Sequence, residues 1–418
     1  MNKNFVIFYW HVFTKRDWGR FLCDEMSARG YNVRVVQVGP AIDNLSLAEI
    51  ERGNFAAVPQ AETPRTKDDI ERILDDLNEQ DLLFVFVPVT ARYLWLLVQI
   101  GKRNLKYAHL TLGRLPQRLD PTLLIRRKPL LALRAYGAAL FHLLYRVRYH
   151  LKLVCSLGLD YFRIPPPFVW VRAGSHTEPL STEGIGLGRC NVLDVESFDV
   201  AQARRIESHP PIGPAEGQSG RYAVYVDESL YNHPDYLLHN AASPIEPDRF
   251  FPALKRFFEQ LENVLDLKIV IALHPKSNYS AQEKAAYFGS RETFDRQTPE
   301  LIYGAEFALM HNSTALSYAV IWRKPVLFVT SDSINESWLC ADLELRTNLI
   351  GQPTVNLDRL NGSDVSSLLT STVDEELYAA YEESFLGSTH AVTGPLDEII
   401  ATYMDSQSQT TQQGLSKI

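Results

Sequence analysis

Residues 267–330 decide the fold, because three short apolar runs in this stretch each end in polar or turn-forming residues. The three are LKIVIALHPK at residues 267–276, EFALMHNST at 306–314 and WRKPVLFVT at 322–330. Short apolar runs bounded by turn residues and separated by helical patterns are typical of buried parallel strands. Ligands of such sheets bind beyond the carboxyl ends of the strands. We therefore expect His274 and the pair Ser313-Thr314 to follow neighbouring strands and to face one crevice.

The length of the chain predicts two domains, since 418 residues exceed the size at which a single core stops growing. Strand patterns at 5–10 and 31–38, with a helix from an Asp17 cap to Arg29 between them, form a Rossmann-like opening. It contains no GxGxxG, so a dinucleotide is not indicated. The loop-rich stretch 208–220 gives a boundary between domains 1–215 and 216–404, each α/β and Rossmann-like. The polar tail 405–418 is expected to be disordered.

Charge is distributed unevenly along the chain. The formal net charge is −8, which argues against a general nucleic-acid-binding protein. Residues 102–152 nevertheless contain twelve Lys and Arg and a single acid, Asp120. Within them, 121–153 is apolar and basic at roughly helical spacing, and its charges are too frequent for a membrane span. It fits a basic amphipathic helix on a membrane surface or, equally, core helices whose cations point outward.

The cysteines and the first apolar run indicate the cellular compartment of the protein. The four cysteines are far apart and form no CxxC pair, so they are expected to be free thiols in a reducing compartment, without a metal site. The apolar run 5–13 is too short and too polar for a signal sequence or a membrane span. We expect a cytoplasmic protein, with peripheral contact at the inner face of the cytoplasmic membrane as an open possibility.

Two motifs in the C-terminal half could bind an anion. His274-Pro275-Lys276 ends a strand, where an imidazole can donate a hydrogen bond to a phosphate and the proline fixes the backbone. Asn312, Ser313 and Thr314 open a helix, where hydroxyls and free backbone N–H groups also suit an anion. A purely structural histidine and ordinary helix capping are the alternatives. The two motifs at adjacent strand ends together favour a phosphate site.

Other polar residues are weaker candidates. Asp227 and Glu228 follow a strand, and one carboxylate could deprotonate an acceptor hydroxyl, whereas turn formation explains the same residues. Glu300, in a Thr298-Pro299-Glu300 helix start, could contact a ribose hydroxyl or only cap the helix. We assign His233 and the loop residues Thr14, Lys15 and Arg16 to the acceptor side, with a solvated loop as the alternative for the last three.

These motifs together resemble those of bacterial surface-polysaccharide glycosyltransferases of the GT-B type. The match is to the bacterial sialyltransferases, polysialyltransferases and Kdo transferases, which share an acidic D/E-D/E-G motif, an HP motif and a Ser/Thr pair. His274-Pro275 matches HP, Ser313-Thr314 matches the pair, and Asp227-Glu228-Ser229 matches the acidic motif except that Ser229 stands where the family has glycine. CDP-glycerol polymerases share related HP and Ser motifs.

The resemblance implies two Rossmann-like domains facing a cleft and an inverting, metal-independent transferase without a cofactor. His274, Ser313 and Thr314 would hold the phosphate of a nucleotide sugar, most simply a CMP-linked nonulosonate or Kdo-type sugar. Asp227 or Glu228 would be the base, and the acceptor would be a glycan or a lipid-linked molecule. Two alternatives stay open: UDP-sugar or CDP-alcohol transfer on the same fold, and a non-catalytic sugar- or nucleotide-binding partner in a membrane-bound assembly.

Overall fold

A computed structural model describes most of the chain. The described residues are 3–43, 60–87, 91–111, 164–174, 190–211, 220–233, 242–275, 277, 279–360, 372–387, 391–392, 394 and 398–402. Most of the basic segment 102–152, residues 212–219 of the predicted linker 208–220, and the tail 405–418 lie outside them.

The chain forms two compact α/β units. Among the described residues, the N-terminal unit contains those up to 111, those at 164–196 and those after 387, while the C-terminal unit contains 197–387. These limits differ from the predicted boundary at 215 and 216. The helix at 198–208 belongs to the C-terminal unit, where the Trp322 indole donates to Glu207 at 2.9 Å. Val392 instead pairs with Val195 of the N-terminal unit.

The N-terminal unit is built on a seven-stranded sheet in the order β3-β2-β1-β4-β5-β6-β7. All of its strand pairs are parallel. The strands are β1 Asn4–Tyr9, β2 Asn32–Gln37, β3 Ala61–Glu62, β4 Leu82–Phe86, β5 Tyr107–Thr111, β6 Val169–Ala173 and β7 Asn191–Val195. The helices are α1 Lys15–Arg20, α2 Cys23–Ala28, α3 Gly39–Asp43, α4 Lys67–Asp75 and α5 Ala91–Lys102.

The C-terminal unit is built on a six-stranded parallel sheet in the order β10-β9-β8-β11-β12-β13. The strands are β8 Tyr222–Val226, β9 Lys268–Leu273, β10 Thr293–Asp295, β11 Ala308–Met310, β12 Val326–Thr330 and β13 Thr354–Asn356. The helices are α6 Phe198–Ser208, α7 Pro247–Leu265, α8 Ala281–Phe288, α9 Thr298–Gly304, α10 Leu316–Ile321, α11 Asp332–Glu336, α12 Cys340–Ile350 and α13 Glu375–Tyr381, followed by a π-helical turn Glu382–Leu386.

The strands form where the sequence is apolar on both faces. Every residue of β8 and of β12 is buried, because helices cover both sides of a parallel sheet. The main helix against the C-terminal sheet is α7, which buries one continuous face that includes Phe250, Phe257 and Phe258. The prediction of two Rossmann-like α/β domains is confirmed. That the domains face a cleft stays a prediction.

The first predicted helix differs from the observed structure. Asp17 was expected to cap one helix that runs to Arg29, but Thr14 is the cap residue and Asp17 lies in the first turn. The Asp17 carboxylate accepts the Thr14 N–H at 3.0 Å, which completes a capping box. Leu22, at a left-handed φ of 56°, then separates α1 from α2. Thr14 followed three residues later by Asp17 is the pattern of a capping box, in which the threonine is the cap residue.

Candidate functional site in the C-terminal unit

The strand order of the C-terminal sheet creates a switch point beside its first strand. The chain passes from β8 to β9 and β10 on one side, and then returns to form β11, β12 and β13 on the other. Ligands of open α/β sheets bind at such a point, beyond the carboxyl ends of the strands. Here β8 is followed by Asp227 and Glu228, β9 by His274, and β11 by His311 and Asn312. The motifs singled out in the sequence therefore share one edge.

The expectation that His274 and Ser313 follow neighbouring strands is wrong. Strand β8 lies between β9 and β11 and pairs with both. With a strand spacing of about 4.8 Å, the ends of β9 and β11 are roughly 10 Å apart. The order of a Rossmann-like sheet puts the first strand of the unit in the middle. Asp227 and Glu228 consequently occupy the position between the two predicted phosphate-binding motifs.

The Glu228 carboxylate joins the ends of β8 and β11. Its Oε1 accepts the backbone N–H of His311 at 2.8 Å, and both of its oxygens lie 2.7 Å from the backbone nitrogen of Asn312. These N–H groups follow the last residue of β11 and have left the ladder of the sheet. A side-chain carboxylate thus satisfies backbone donors at the switch point that would otherwise be unpaired.

The Asp227 carboxylate joins β8 to β9 in the same way. Asp227 is 3% exposed, and its Oδ2 accepts the backbone N–H of His274 at 3.3 Å. Its Oδ1 accepts the Ser229 N–H at 3.1 Å and lies 3.4 Å from the Tyr279 hydroxyl. These contacts are longer than those of Glu228, so Asp227 is held less tightly by its hydrogen-bond donors.

Burial governs the protonation of both carboxyl groups. It raises the pKa of Asp227 to about 6, against the lowering effect of the His274 and Ser229 N–H groups. It raises the pKa of Glu228 to about 7, against the N–H groups of Asn312 and His311 and the charge of Arg346. Carboxyl groups with pKa values near neutrality are suited to general acid–base chemistry.

Ser229 has the backbone conformation for which glycine is best suited. It is fully buried at a positive φ of 52°, in the left-handed region that side chains disfavour. Its hydroxyl donates to Asn232 Oδ1 at 2.8 Å and lies 3.4 Å from the Tyr279 hydroxyl. The departure from the glycine of the family motif therefore keeps the turn, and hydrogen bonds of the serine side chain hold it.

The structure brings His233 and His274 together. Their ring centroids are 4.8 Å apart with an interplanar angle of 63°. His274 begins a turn in which its carbonyl accepts from both the backbone N–H and the hydroxyl of Ser277. Pro275 lies inside this turn and Lys276 is outside the described residues. No local pattern pairs the two histidines, because α7 and β9 lie between them in the chain.

The Ser313-Thr314 motif is placed at the same edge but forms a local turn. The Ser313 hydroxyl accepts the Ala315 N–H at 3.1 Å, and Thr314 is exposed. The helix that follows, α10, has only six residues. The buried Oδ1 of Asn312 has no hydrogen-bond partner. A local turn thus accounts for the Ser313 hydroxyl, while Asn312 and Thr314 keep groups that a ligand could use.

The remaining predicted residues lie farther along the same edge or in the N-terminal unit. Thr298 and Glu300 lie in the first turn of α9, which follows β10 at the same edge, and Glu300 Oε2 is buried without a partner. Thr14 and Lys15 belong to the N-terminal unit, at the start of α1 rather than in the predicted loop. The side chain of Arg16 lies outside the described part of the chain.

Two buried residues were not identified from the sequence. His311 is fully buried between Tyr225, whose hydroxyl lies 2.8 Å from Nε2, and the Val329 carbonyl, and burial lowers its pKa to about 4. Arg346 is 2% exposed, its Nε and Nη1 have no hydrogen-bond partner, and its charge acts on Glu228. The signal for Arg346 was present in the sequence, since it stands three residues after Leu343 on the buried face of α12.

Metal and membrane features can be assessed only for the described residues. Among them, no group of three or more His, Cys, Asp or Glu side chains could hold a metal ion. No helix in the described ranges is sufficiently long and apolar to cross the bilayer. The predicted basic amphipathic segment 121–153 falls outside those ranges, so membrane contact stays a prediction.

Comparison with known proteins gives distant similarities of fold. No family model matches the chain, and no curated protein matches its sequence. Among solved structures, the chain is similar to CalG4, the calicheamicin glycosyltransferase, at 12% identity over 91% of this chain and 92% of that one, with a TM-score of 0.45. It is also similar to the glycosyltransferase SnogD from Streptomyces nogalater at 12% identity, over 97% and 99% of the two chains, with a TM-score of 0.46.

A third similarity is to a variant of the wall teichoic acid polymerase TagF. The identity is 11% over 98% of this chain and 90% of that chain, and the TM-score is 0.49. All three similarities concern the course of the chain alone. The function of this protein is therefore argued from the residues at the carboxyl edge of its C-terminal sheet.

The left-handed turn at Ser229 predicts an unusual order of stability for two substitutions. Ser229→Ala removes the hydroxyl and keeps a side chain at positive φ, whereas Ser229→Gly removes the hydroxyl and relieves the backbone cost of roughly 1 kcal/mol. We expect Ser229→Gly to be the more stable variant by about that amount in urea unfolding of the C-terminal unit. An alanine variant as stable as the glycine variant would contradict the account of this turn.

Glu228 predicts a pH dependence of stability. Its pKa is 4.5 when unperturbed and about 7 in the fold, so the folded chain holds a proton that the unfolded chain has lost. This group therefore lowers stability as the pH rises from about 4.5 to about 7. We expect Glu228→Gln to lose less of its melting temperature than wild type between about pH 5 and about pH 8.

The matched control is Glu336→Gln, at an exposed residue of the same unit. It should retain the pH dependence of the wild type, because it is exposed and is not one of the two buried carboxyl groups after β8. If Glu228→Gln and Glu336→Gln follow the wild-type profile equally well, the raised pKa of Glu228 is refuted.

Proposed function

We propose that this chain is a glycosyltransferase that moves a sugar from a nucleotide-activated donor to a glycan or lipid-linked acceptor. The observation that carries the proposal is the position of three sequence motifs on one sheet. Asp227-Glu228, His274 and Asn312-Ser313-Thr314 follow β8, β9 and β11, so all three lie at the carboxyl edge where α/β sheets bind ligands. The same three motifs carry the resemblance to bacterial surface-polysaccharide transferases.

In this proposal the C-terminal unit binds the nucleotide sugar. The His274 imidazole donates to the donor phosphate, and the hydroxyls of Ser313 and Thr314 contact the same group. As the bond between the anomeric carbon and the phosphate oxygen breaks, its electron pair passes to the phosphate. Donors fixed in place near that oxygen stabilise the charge that develops there. The route needs no metal ion, and the sugar is a CMP-linked nonulosonate or Kdo-type sugar.

The acceptor is activated by Asp227. Its contacts with neighbouring N–H groups are longer than those of Glu228, and its pKa of about 6 lies close to neutrality. The acceptor oxygen attacks the anomeric carbon, which inverts its configuration, and the proton of the acceptor hydroxyl passes to Asp227. Glu228 has both oxygens on backbone N–H groups and acts as a positioning residue. The acceptor is bound by the N-terminal unit, including Thr14, Lys15 and Arg16. The reaction belongs to surface-polysaccharide synthesis at the cytoplasmic face of the membrane.

A second candidate function is binding without catalysis. The observation that favours it is that both carboxylates are engaged with backbone N–H groups, which are structural contacts. The chain would then be a nucleotide- or sugar-binding partner in a larger assembly. Ligand binding that depends on His274, with no donor hydrolysed or transferred under any condition, would favour this candidate over the enzyme.

The proposal predicts nucleotide-dependent stabilisation that His274 supports. We expect CMP or CDP at about 100 times its dissociation constant to raise the melting temperature by roughly 5–10 °C, because it binds only the folded state. A thermal-shift panel of CMP, CDP, UDP, GDP and ADP measures this on wild type, on His274→Ala and on His209→Ala. His209 is exposed at the end of α6 and serves as the control.

The shift should be lost in His274→Ala and kept in His209→Ala. A shift with UDP alone would keep the transferase and replace the donor by a UDP-sugar, and a shift with CDP but not CMP would favour transfer from a CDP-alcohol. If none of the five nucleotides stabilises the wild type, the proposed function is rejected.

A further inference from the structure

His233 follows β8 and His274 follows β9. The mechanism proposed above assigns a role to His274 and none to His233. His233 was assigned to the acceptor side, apart from His274. In the fold their rings are in contact, with centroids 4.8 Å apart. Both rings are partly exposed, so a ligand at this edge can reach either of them.

The backbone fixes this contact from both sides. After β8, the Asn232 N–H donates to the Ser229 carbonyl at 3.2 Å, and the Ser229 hydroxyl donates to Asn232 Oδ1 at 2.8 Å. These bonds close the turn that precedes His233. After β9, the Ser277 N–H and hydroxyl both donate to the His274 carbonyl, at 2.8 and 2.7 Å.

One carboxylate connects the two turns. Asp227 Oδ1 accepts the N–H of Ser229 in the first turn, and Asp227 Oδ2 accepts the N–H of His274 in the second. Asp227 is itself buried at the end of the central strand. The two turns that carry the imidazoles are therefore joined to each other by hydrogen bonds to one buried carboxylate.

Two partly exposed imidazoles in contact suit one anionic group. Each ring can present an N–H donor, and a phosphate has several oxygens that accept bonds in different directions. Two imidazoles in contact repel each other when both are protonated, unless a negative charge lies close to both. A phosphate group at the strand ends meets this requirement, and a neutral sugar hydroxyl does not.

We propose that His233 and His274 form one phosphate-binding element, in which both rings contact the same phosphate group of an organic phosphate. The inference rests on the proposed function, which places a phosphate at His274, and it moves His233 from the acceptor to the donor. A nucleoside mono- or diphosphate and a sugar phosphate share this chemistry. The two rings bind the phosphate group, and other residues bind the base and the sugar.

The test follows the two rings directly by NMR of the full chain with ¹³C-labelled histidine. His233→Gln and His274→Gln assign the two signals, and inorganic pyrophosphate, CMP and CDP are titrated separately into the wild type. We expect the signals of His233 and His274 to move together with one dissociation constant for each ligand that binds. His209, exposed on α6, should not move.

Affinity measurements on the variants complete the test. Each glutamine variant should bind the phosphate ligand roughly tenfold or more weakly, because it loses a charge-assisted hydrogen bond. Cytidine, which lacks the phosphate, should bind wild type and variants equally. His233→Asn, which also replaces the imidazole by an uncharged amide, provides a second variant if His233→Gln melts at a lower temperature than wild type.

The outcomes separate this inference from the proposed function. If a nucleotide binds and moves His274 while His233 stays fixed and His233→Gln binds normally, the pairing is wrong and the proposed function stands. If pyrophosphate moves both signals while no nucleotide binds, the pairing stands and the nucleotide-sugar function is rejected. If none of the three ligands moves either signal, both are rejected.

Discussion

The C-terminal unit depends on two carboxylates that replace missing backbone partners at the centre of its sheet. Glu228 accepts the N–H groups of His311 and Asn312 at the end of β11, and Asp227 accepts the N–H of His274 at the end of β9. Because β8 lies between those strands, consecutive residues at its end reach to opposite sides. Adjacent acids, which would repel in a simple turn, are thereby directed to different neighbours.

This arrangement buries two carboxyl groups, and the surrounding residues stabilise their charged forms to different extents. Desolvation raises the pKa of both groups, and Arg346 partly offsets the effect at Glu228. Arg346 is itself buried, and its Nε and Nη1 have no hydrogen-bond partner. Burial of an unpaired cation lowers the stability of the fold, and the attraction between Arg346 and Glu228 offsets part of that loss. Glu228 is thus a fixed part of the edge, held by short contacts to backbone N–H groups, whereas Asp227 has longer contacts and a pKa of about 6.

Much of the fold followed from the sequence. The apolar runs that became β8, β9 and β12 were visible because parallel strands bury both faces and leave no alternation to confuse with a surface strand. Strands β3, β6, β7, β10 and β13 were not predicted. β3, β10 and β13 have three residues or fewer, and β7 begins with exposed residues. The lateral order of strands is set by long-range pairing, which no local pattern encodes, and this made the assumed adjacency of β9 and β11 wrong.

The site was predictable in its residue types and its edge, but its internal contacts were not. Strand ends marked Asp227, Glu228, His274 and Ser313 as neighbours of a ligand crevice. The pairing of His233 with His274 needed the turn at Ser229, and a left-handed serine has no signature in composition or periodicity. Arg346 required recognition of a charged residue on the buried face of an otherwise ordinary helix.

The central claim is that this edge binds a nucleotide sugar and that Asp227 removes the proton of the acceptor. The most direct measurement compares donor affinity and the rate of nucleotide release in the presence of acceptor, for wild type and Asp227→Asn. Asparagine keeps the size of the side chain and one accepting oxygen. We predict an unchanged donor affinity and a rate lower by roughly 100-fold or more. A variant that releases nucleotide at the wild-type rate would contradict the account.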